Sequence, residues 1–305
     1  ISEKGVDEFY KGEIANKLSS YIIKKGGIIT VEDFALYKPV WRDALEIKYK
    51  DLNIISMGPP SSGGLVLGQI LKMIENYDLN ELGHNSELYI QLLVEAEKLS
   101  FSDRSKYLGD PDFNYIPINE LLDNDYLKSR FKSFSFSNAI NSESIDPGKI
   151  LNNEMDDFSI KPGAPNMYGL IGGKTNSIEP EKRMLSSMTP SIIEQNGNLS
   201  MVLGSPGGPT IITSVLQTIL NFYEFNFTMQ KSVDSPRFHH TWFPDKIFYE
   251  ENILSKKIKD DLSNKGYDLN SNYSVIGRVD AIHIDKNQMF NGGADKRGDD
   301  KSIGY

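Results

Sequence analysis

Apolar residues recur at three- and four-residue spacing in several long segments of the chain, and alternate with polar residues in shorter ones. Ile14, Leu18, Tyr21 and Ile22 place one apolar stripe on a helix over residues 6–25, ended by Gly26-Gly27. Leu65, Leu67, Ile70, Leu71 and Ile74 do the same over 64–76, and a longer helix follows over 87–108. Val215, Leu216, Ile219, Leu220 and Phe222 carry a further helical pattern. Over 256–265, Lys256-Lys257-Ile258-Lys259-Asp260-Asp261 reads as the solvated face of a helix stopped by Gly266. Alternation predicts strands over 44–49 and 53–57 as one hairpin, and strands at 191–194 and 201–203 around the hairpin turn Asn196-Gly197. Another strand is predicted over 279–284, turned by Asp285-Lys286-Asn287, and Glu32-Asp33-Phe34 opens a short turn before Pro39. The mixture fits layers of helix and sheet around a shared core, with no internal repeat and no low-complexity segment.

Composition narrows the class. At 305 residues the chain can bury a substantial core. Charged residues make up 25% and hydrophobic ones 39%, which is neither a disordered nor a membrane-embedded composition. A net charge of -9 argues against a nucleic-acid partner, which needs a basic face, and against an anionic membrane surface. With no cysteine, disulfides and thiol catalysis are excluded, and the redox compartment is left open. No stretch has the length of a transmembrane helix, and no signal peptide is present in the sequence.

Three segments carry candidate chemistry. Gly204-Ser205-Pro206-Gly207-Gly208-Pro209-Thr210-Ile211-Ile212-Thr213 follows an apolar run and precedes a helical pattern. A strand that ends in small residues and opens a helix leaves backbone N–H groups without partners. With the positive end of the helix dipole behind them, those donors suit an anion or a developing oxyanion. Taken alone, such a loop reads more readily as a tight turn with no ligand, because glycine-rich strand-to-helix turns are common in α/β proteins. Leu185-Ser186-Ser187-Met188-Thr189-Pro190-Ser191 sets two hydroxyls before a short strand, able to hold a carboxylate or an amide, or to form an ordinary Ser-rich turn. Leu151-Asn152-Asn153-Glu154-Met155-Asp156-Asp157-Phe158 gathers carboxylates and amides that could hold a substrate ammonium or a hard cation, or lie solvated. EF-hand spacing is absent, which places the amine reading above calcium.

Other motifs favour structural readings. Gly172-Gly173-Lys174-Thr175 fails as a phosphate loop because the first glycine would fall at Tyr168, so 166–176 reads as a surface loop. His239 and His240 are adjacent on a strand and point to opposite faces, which disfavours a zinc site. Glu95 and Glu97 share a helix but cannot face one site. Asp103 and Arg104 read as structural ion-pair partners, and Met155, Met184 and Met188 as packing around the acidic loop.

In their order, these segments closely resemble the small subunit of the gamma-glutamyltransferases (gamma-glutamyltranspeptidases), self-processing N-terminal-nucleophile hydrolases. Pro59-Pro60-Ser61-Ser62-Gly63-Gly64 resembles the family's turn of that sequence, and Glu95-Ala96-Glu97-Lys98 through Phe101-Ser102-Asp103-Arg104-Ser105-Lys106-Tyr107-Leu108-Gly109-Asp110-Pro111-Asp112-Phe113 its large-subunit helix and following loop. Ser235-Pro236-Arg237-Phe238-His239-His240 and Gly293-Ala294-Asp295-Lys296-Arg297-Gly298-Asp299-Asp300 with Gly304-Tyr305 agree as well, so the resemblance runs nearly end to end.

The resemblance implies an α+β four-layer αββα sandwich, incomplete in this chain. Residues 1–149 would be the C-terminal part of the large-subunit region and 150–305 the small-subunit region, together one domain. It implies gamma-glutamyl transfer from, or hydrolysis of, glutathione and related gamma-glutamyl amides, with an amino acid, a peptide or water as acceptor. The Gly207 and Gly208 N–H groups would form the oxyanion hole, Glu154 and Asp157 would bind the substrate ammonium, and Ser186 and Ser187 its carboxylate. No metal or organic cofactor is implied, and the family is commonly exported, to the periplasm or beyond the cell. The two subunits would come from one precursor.

One departure is large. The family's nucleophile is the threonine of a T-T-H-x-S-V segment, and this chain runs from Asn138 through Lys149 straight to Ile150-Leu151-Asn152-Asn153 with no such segment. The portion bearing the arginine for the substrate carboxylate also has no counterpart. Either segments of the protein lie outside this sequence, or it is a truncated, inactive gamma-glutamyl-binding relative. The first is favoured, because losing central strands would leave unpaired ladder groups in a buried sheet. A related acylase or poly-gamma-glutamate depolymerase is the enzyme alternative, and a purely structural role the last.

Overall fold

A computed structural model describes residues 1–146, 158, 174–251, 253–271 and 275–303. They form two compact units, 1–43 and 44–305.

The smaller unit holds helices α1 (Asp7–Tyr10), α2 (Glu13–Lys24) and α3 (Val31–Leu36). The single helix expected over 6–25 is two, because Gly12 adopts an extended backbone and serves as N-cap of α2. The turn expected at 32–34 is the start of α3, whose N-cap Thr30 and Asp33 close a reciprocal capping box.

In the larger unit, β1 (Leu45–Tyr49) and β2 (Leu52–Ser56) lead into α4 (Gly63–Ile74), α5 (Leu79–Leu82), α6 (Glu87–Tyr107), α7 (Ile118–Leu121) and α8 (Asn124–Phe131). Then come β3 (Ser191–Gln195), β4 (Asn198–Gly204), α9 (Thr210–Tyr223), α10 (Met229–Asp234), β5 (Phe238–His239), β6 (Ile247–Tyr249), α11 (Lys256–Asn264), β7 (Leu269–Asn270), β8 (Asp280–Ile284) and β9 (Phe290–Gly293). The architecture is α+β. One sheet has the order β1-β2-β3-β4-β8-β9, antiparallel throughout, and β5-β6-β7 form a second, small sheet.

Both predicted hairpins form. The turn between β3 and β4 has left-handed backbone at Asn196 (φ 52°) and Gly197 (φ 76°), as a two-residue hairpin demands. On one sheet face Ile47, Ile54, Ile193 and Met201 lie side by side, fully buried, against α4 and α9, with α6 packed on α4. Helix α6 is the centre of the core: from Tyr89 to Ser105 every residue is buried.

On the opposite face Ile192, Val202 and Ile282 stand in register across three strands and are 43–48% exposed. Of the four layers that the resemblance implies, the described residues thus form one helical layer and one large sheet. Within that sheet β2 pairs directly with β3, so the six strands run without a gap. The expected unpaired ladder groups therefore do not arise there. No helix among the described residues is long and apolar enough to cross a membrane.

Candidate active site

Antiparallel pairing decides which loops share an end of the sheet. Ser56 at the end of β2 pairs with Ser191 at the start of β3, which pairs with Leu203 near the end of β4; Gly204 then pairs with Asp280, the first residue of β8. The turn at 57–64, the segment 185–190, the loop 205–209 and the residues before β8 therefore leave the sheet together.

The loop at 205–209 joins β4 to α9 as the sequence predicted. Gly207 has φ 134° and Gly208 φ 57°, backbone that favours glycine. A Cβ on Gly207 would lie 2.6 Å from Thr210 Oγ1 and 3.3 Å from Gly277 Cα. The carbonyls of Gly207 and Gly208 accept the first N–H groups of α9, from Thr210 and Ile211. Pro209, the N-cap, contributes no side-chain cap. Among the described residues the Gly207 and Gly208 N–H groups donate to no protein acceptor, and the positive end of α9 lies behind them.

The Ser186-Ser187 segment is clamped against the turn at 57–64. Ser61 and Ser186 form a parallel bridge, in which the Ser62 N–H donates to the Ser186 carbonyl (2.8 Å) and the Ser186 N–H to the Pro60 carbonyl (2.9 Å). Ser61 Oγ donates to the Met188 carbonyl and Ser62 Oγ to the Ser186 carbonyl, both at 2.7 Å. Ser62 is the N-cap of α4 yet makes no capping bond, because its hydroxyl is committed to this contact. Gly63 permits the approach: a Cβ there would sit 2.2 Å from the Met188 carbonyl oxygen. From α6, Arg104 Nε donates to Ser62 Oγ (2.9 Å) and Nη2 to Ser187 Oγ (3.2 Å). The approach to this segment is fixed in turn, with the Leu185 N–H on Asn176 Oδ1 (2.9 Å) and the Arg183 N–H on Asp110 Oδ2 (2.7 Å).

Behind the glycine loop lies a buried ionic network. Arg237 Nη2 pairs with Asp295 Oδ2 (2.8 Å), Arg297 Nη1 with Asp295 Oδ1 (2.9 Å), and Arg297 Nη2 with Glu250 Oε2 (2.5 Å). The network also takes hold of residues 276–279. The Ile276 N–H donates to Glu250 Oε1, the Val279 N–H to Asp295 Oδ2, and Arg237 Nη1 to the Ile276 carbonyl. Gly277 is thereby pressed against Gly207, and the Arg278 N–H reaches Ser205 Oγ (2.9 Å). The family-like segments 235–240 and 293–297 thus buttress the loop.

A second buried cluster lies along α6. Lys98 Nζ contacts Glu95 (3.2 Å) and Asp245 (3.3 Å), while His240 Nε2 lies 3.2 Å from the same Asp245 oxygen. Glu97 faces elsewhere and accepts the His240 N–H (2.9 Å), so the two glutamates do serve different sites. Burial pushes the Glu97 carboxyl well above the usual carboxylate range. His239 contacts Thr213 Oγ1 through Nδ1 (2.9 Å), on the opposite side from His240. Burial, with His240 beside it, lowers the His239 pKa from 6.5 to about 3; burial likewise lowers that of His240 to about 4, against the pull of Asp245.

Below pH 6.5 the unfolded chain takes up a proton that buried His239 refuses, so this residue makes stability fall as pH drops from 6.5 toward its folded pKa. His239→Asn, which keeps a polar group near Nδ1, is expected to remove about 1.4 kcal/mol per pH unit from the slope of stability between pH 4 and 6.5. Urea unfolding of both proteins across that range measures it; identical slopes would mean that His239 is charged in the folded state.

Of the sequence-predicted residues, the structure brings Gly207, Gly208, Ser186 and Ser187 to one end of the sheet. Glu154 and Asp157, like Met155, lie outside the described residues. Met184 and Met188 are about half exposed, with the flanking Leu185 and Ser187 in the inward positions, and the acidic loop around which they are expected to pack lies outside the described residues. Asp103 does form an ion pair, with Arg130 (2.8 Å) rather than with its neighbour. Arg104, Ser61 and Ser62 were not anticipated as site residues; the signal was their place in the family-like segments. Among the described residues no three His, Asp or Glu side chains gather as a metal site requires.

A sequence model of the family described as Gamma-glutamyltranspeptidase matches residues 1–147 and 135–305. The glutathione hydrolase proenzyme of Escherichia coli (strain K12) is 37% identical over an alignment of 349 positions that covers 100% of this chain and 60% of the relative. The corresponding proenzyme of Pseudomonas aeruginosa is also 37% identical, over 93% of this chain and 59% of its own length. The chain thus spans about three-fifths of these relatives. The two matches to the family meet at 135–147, beside the junction where the sequence lacks a nucleophile segment. Among solved structures, a cephalosporin acylase from Bacillus halodurans superposes with a TM-score of 0.83 at 22% identity, covering 98% of this chain and 60% of that one, which speaks to the fold.

Proposed function

The chain belongs to the gamma-glutamyltranspeptidase family, and from that premise we propose that its protein cleaves gamma-glutamyl amides such as glutathione and passes the gamma-glutamyl group to water, an amino acid or a peptide. The observation that carries this reading is the meeting, at one end of the sheet, of the Gly207-Gly208 turn and the Ser186-Ser187 pair.

In this reading a threonine hydroxyl attacks the amide carbonyl, activated by that residue's own α-amine. The Gly207 and Gly208 N–H groups receive the oxyanion, aided by the dipole of α9. Ser186 and Ser187 hold the α-carboxylate, and Glu154 and Asp157 the ammonium. The 305 residues hold no T-T-H segment, so the acyl-enzyme step needs a polypeptide that includes one. By the same resemblance the protein acts outside the cytoplasm. The missing segment also favours a second reading, a gamma-glutamyl-binding protein without turnover.

Intact mass and N-terminal sequencing of the purified protein, with release of p-nitroaniline from gamma-glutamyl-p-nitroanilide, separate the two. Two polypeptides, the smaller opening with threonine, and chromophore release support the enzyme. A single 34.3 kDa chain that starts at Ile1 and releases nothing overturns it in favour of the binding protein. Asp157→Asn is expected to weaken glutathione binding roughly tenfold or more by removing a charged partner of the ammonium. Isothermal titration calorimetry measures this, and an unchanged Kd removes Asp157 from the site.

A further inference from the structure

We infer that Arg104 is the positioning residue of the carboxylate site, setting the direction of the Ser187 hydroxyl hydrogen bond and placing a buried positive charge behind it. This rests on the proposed reading, in which Ser186 and Ser187 meet the substrate carboxylate. Arg104 is 1% exposed, and Ser62 and Ser187, which it bridges, are 0% and 6% exposed. The guanidinium fork spans the joint between two segments: Nε holds Ser62, which holds the Ser186 carbonyl, and Nη2 holds Ser187. Both ends of the 186–187 peptide unit are therefore tied to one rigid, permanently charged group on α6.

The hydrogen bonds also set polarity. A serine hydroxyl has one proton to give and two lone pairs to accept with. Ser187 Oγ accepts from Arg104, and Ser186 Oγ accepts from the Met188 N–H (3.1 Å). Neither hydroxyl donates to a protein acceptor among the described residues, so both protons are left for an incoming acceptor. A pair of donors backed by a cation in a poorly solvated setting selects an anion over a neutral amide or an ammonium. Arg104 would thereby read the ligand's α-carboxylate without touching it.

The test is calorimetric titration of the full chain with glutathione, and with 4-aminobutyryl-cysteinylglycine, which lacks only that carboxylate. Arg104→Gln is expected to weaken glutathione binding about tenfold or more and to leave the Kd of the decarboxylated peptide within about twofold, since that peptide makes no bond that Arg104 supports. Arg104→Lys keeps the charge and loses the fork, and should recover part of the loss; Ser62→Ala should reproduce part of it. Equal weakening of both ligands would make Arg104 a structural residue and overturn the inference, as would unchanged glutathione binding in Arg104→Gln. If the unmutated protein binds neither ligand, the gamma-glutamyl reading itself fails and takes this inference with it.

Discussion

Replacing Asp295 by asparagine is expected to destabilise the protein by about 3–5 kcal/mol, the cost typical of breaking a buried ion pair and stranding its partner. The Asp295 carboxylate accepts from Arg237 Nη2, Arg297 Nη1 and the backbone N–H groups of Val279 and Arg297. Both Arg237 and Asp295 have fully buried side chains. Asparagine keeps the shape but removes the charge, and its NH₂ group would meet donors at one of the two oxygen positions. The expected reading is a melting temperature lower by roughly 10 °C, given how thermal midpoints scale in domains of this size. A control separates charge from packing. Arg237→Met with Asp295→Leu keeps the Glu250–Arg297 pair balanced and should be less damaging than Asp295→Asn alone. An unchanged midpoint in Asp295→Asn would mean that the network does not hold the fold.

In a polypeptide that includes the nucleophile segment, and on the proposed reading, Gly207→Val is expected to lower the rate of gamma-glutamyl-p-nitroanilide cleavage by about a hundredfold or more, the usual effect of losing an oxyanion donor. At φ 134° a β-branched side chain is strained, and its Cβ would fall 2.6 Å from Thr210 Oγ1 and 3.3 Å from the Gly277 backbone. Relief requires the peptide units at 207 and 208 to turn, which takes their N–H groups away from the common end of the sheet. Because Gly207 is exposed, strain of about 1–3 kcal/mol should stay local and leave the protein folded. Rate and circular dichroism measured on the same sample decide the matter. A rate equal to that of the unmutated protein would rule out the oxyanion role, while loss of the folded spectrum would make the loop structural.

Much of the candidate site was legible because its signals are local. A strand ending in Gly-Ser-Pro-Gly-Gly before a helical pattern can do little but expose N–H groups at a helix start, and the structure has that arrangement. The hairpin at Asn196-Gly197 was likewise set by two adjacent residues that tolerate left-handed backbone. Short helices such as Leu79–Leu82, Ile118–Leu121 and Met229–Asp234 went unread, since one turn carries too little periodicity to stand out. Arg104 was read through its neighbour Asp103, but consecutive helix residues point in different directions. Asp103 turns to Arg130, and Arg104 to serines 42 and 83 residues away in the chain.

By itself the sequence determined most of the longer helices and the two hairpins, where the glycine turn and the serine pair fall, and the family to which they belong, because spacing and side-chain type act over a few residues. Only the tertiary structure decided that these segments meet. Ser56 lies beside Ser191 across 135 residues of chain, and no local pattern fixes that register; it comes from burying Ile47, Ile54, Ile193 and Met201 together on one face. The same long-range packing placed Gly277 against Gly207 and buried Arg104 and Asp295, where the low dielectric makes each hydrogen bond count for more.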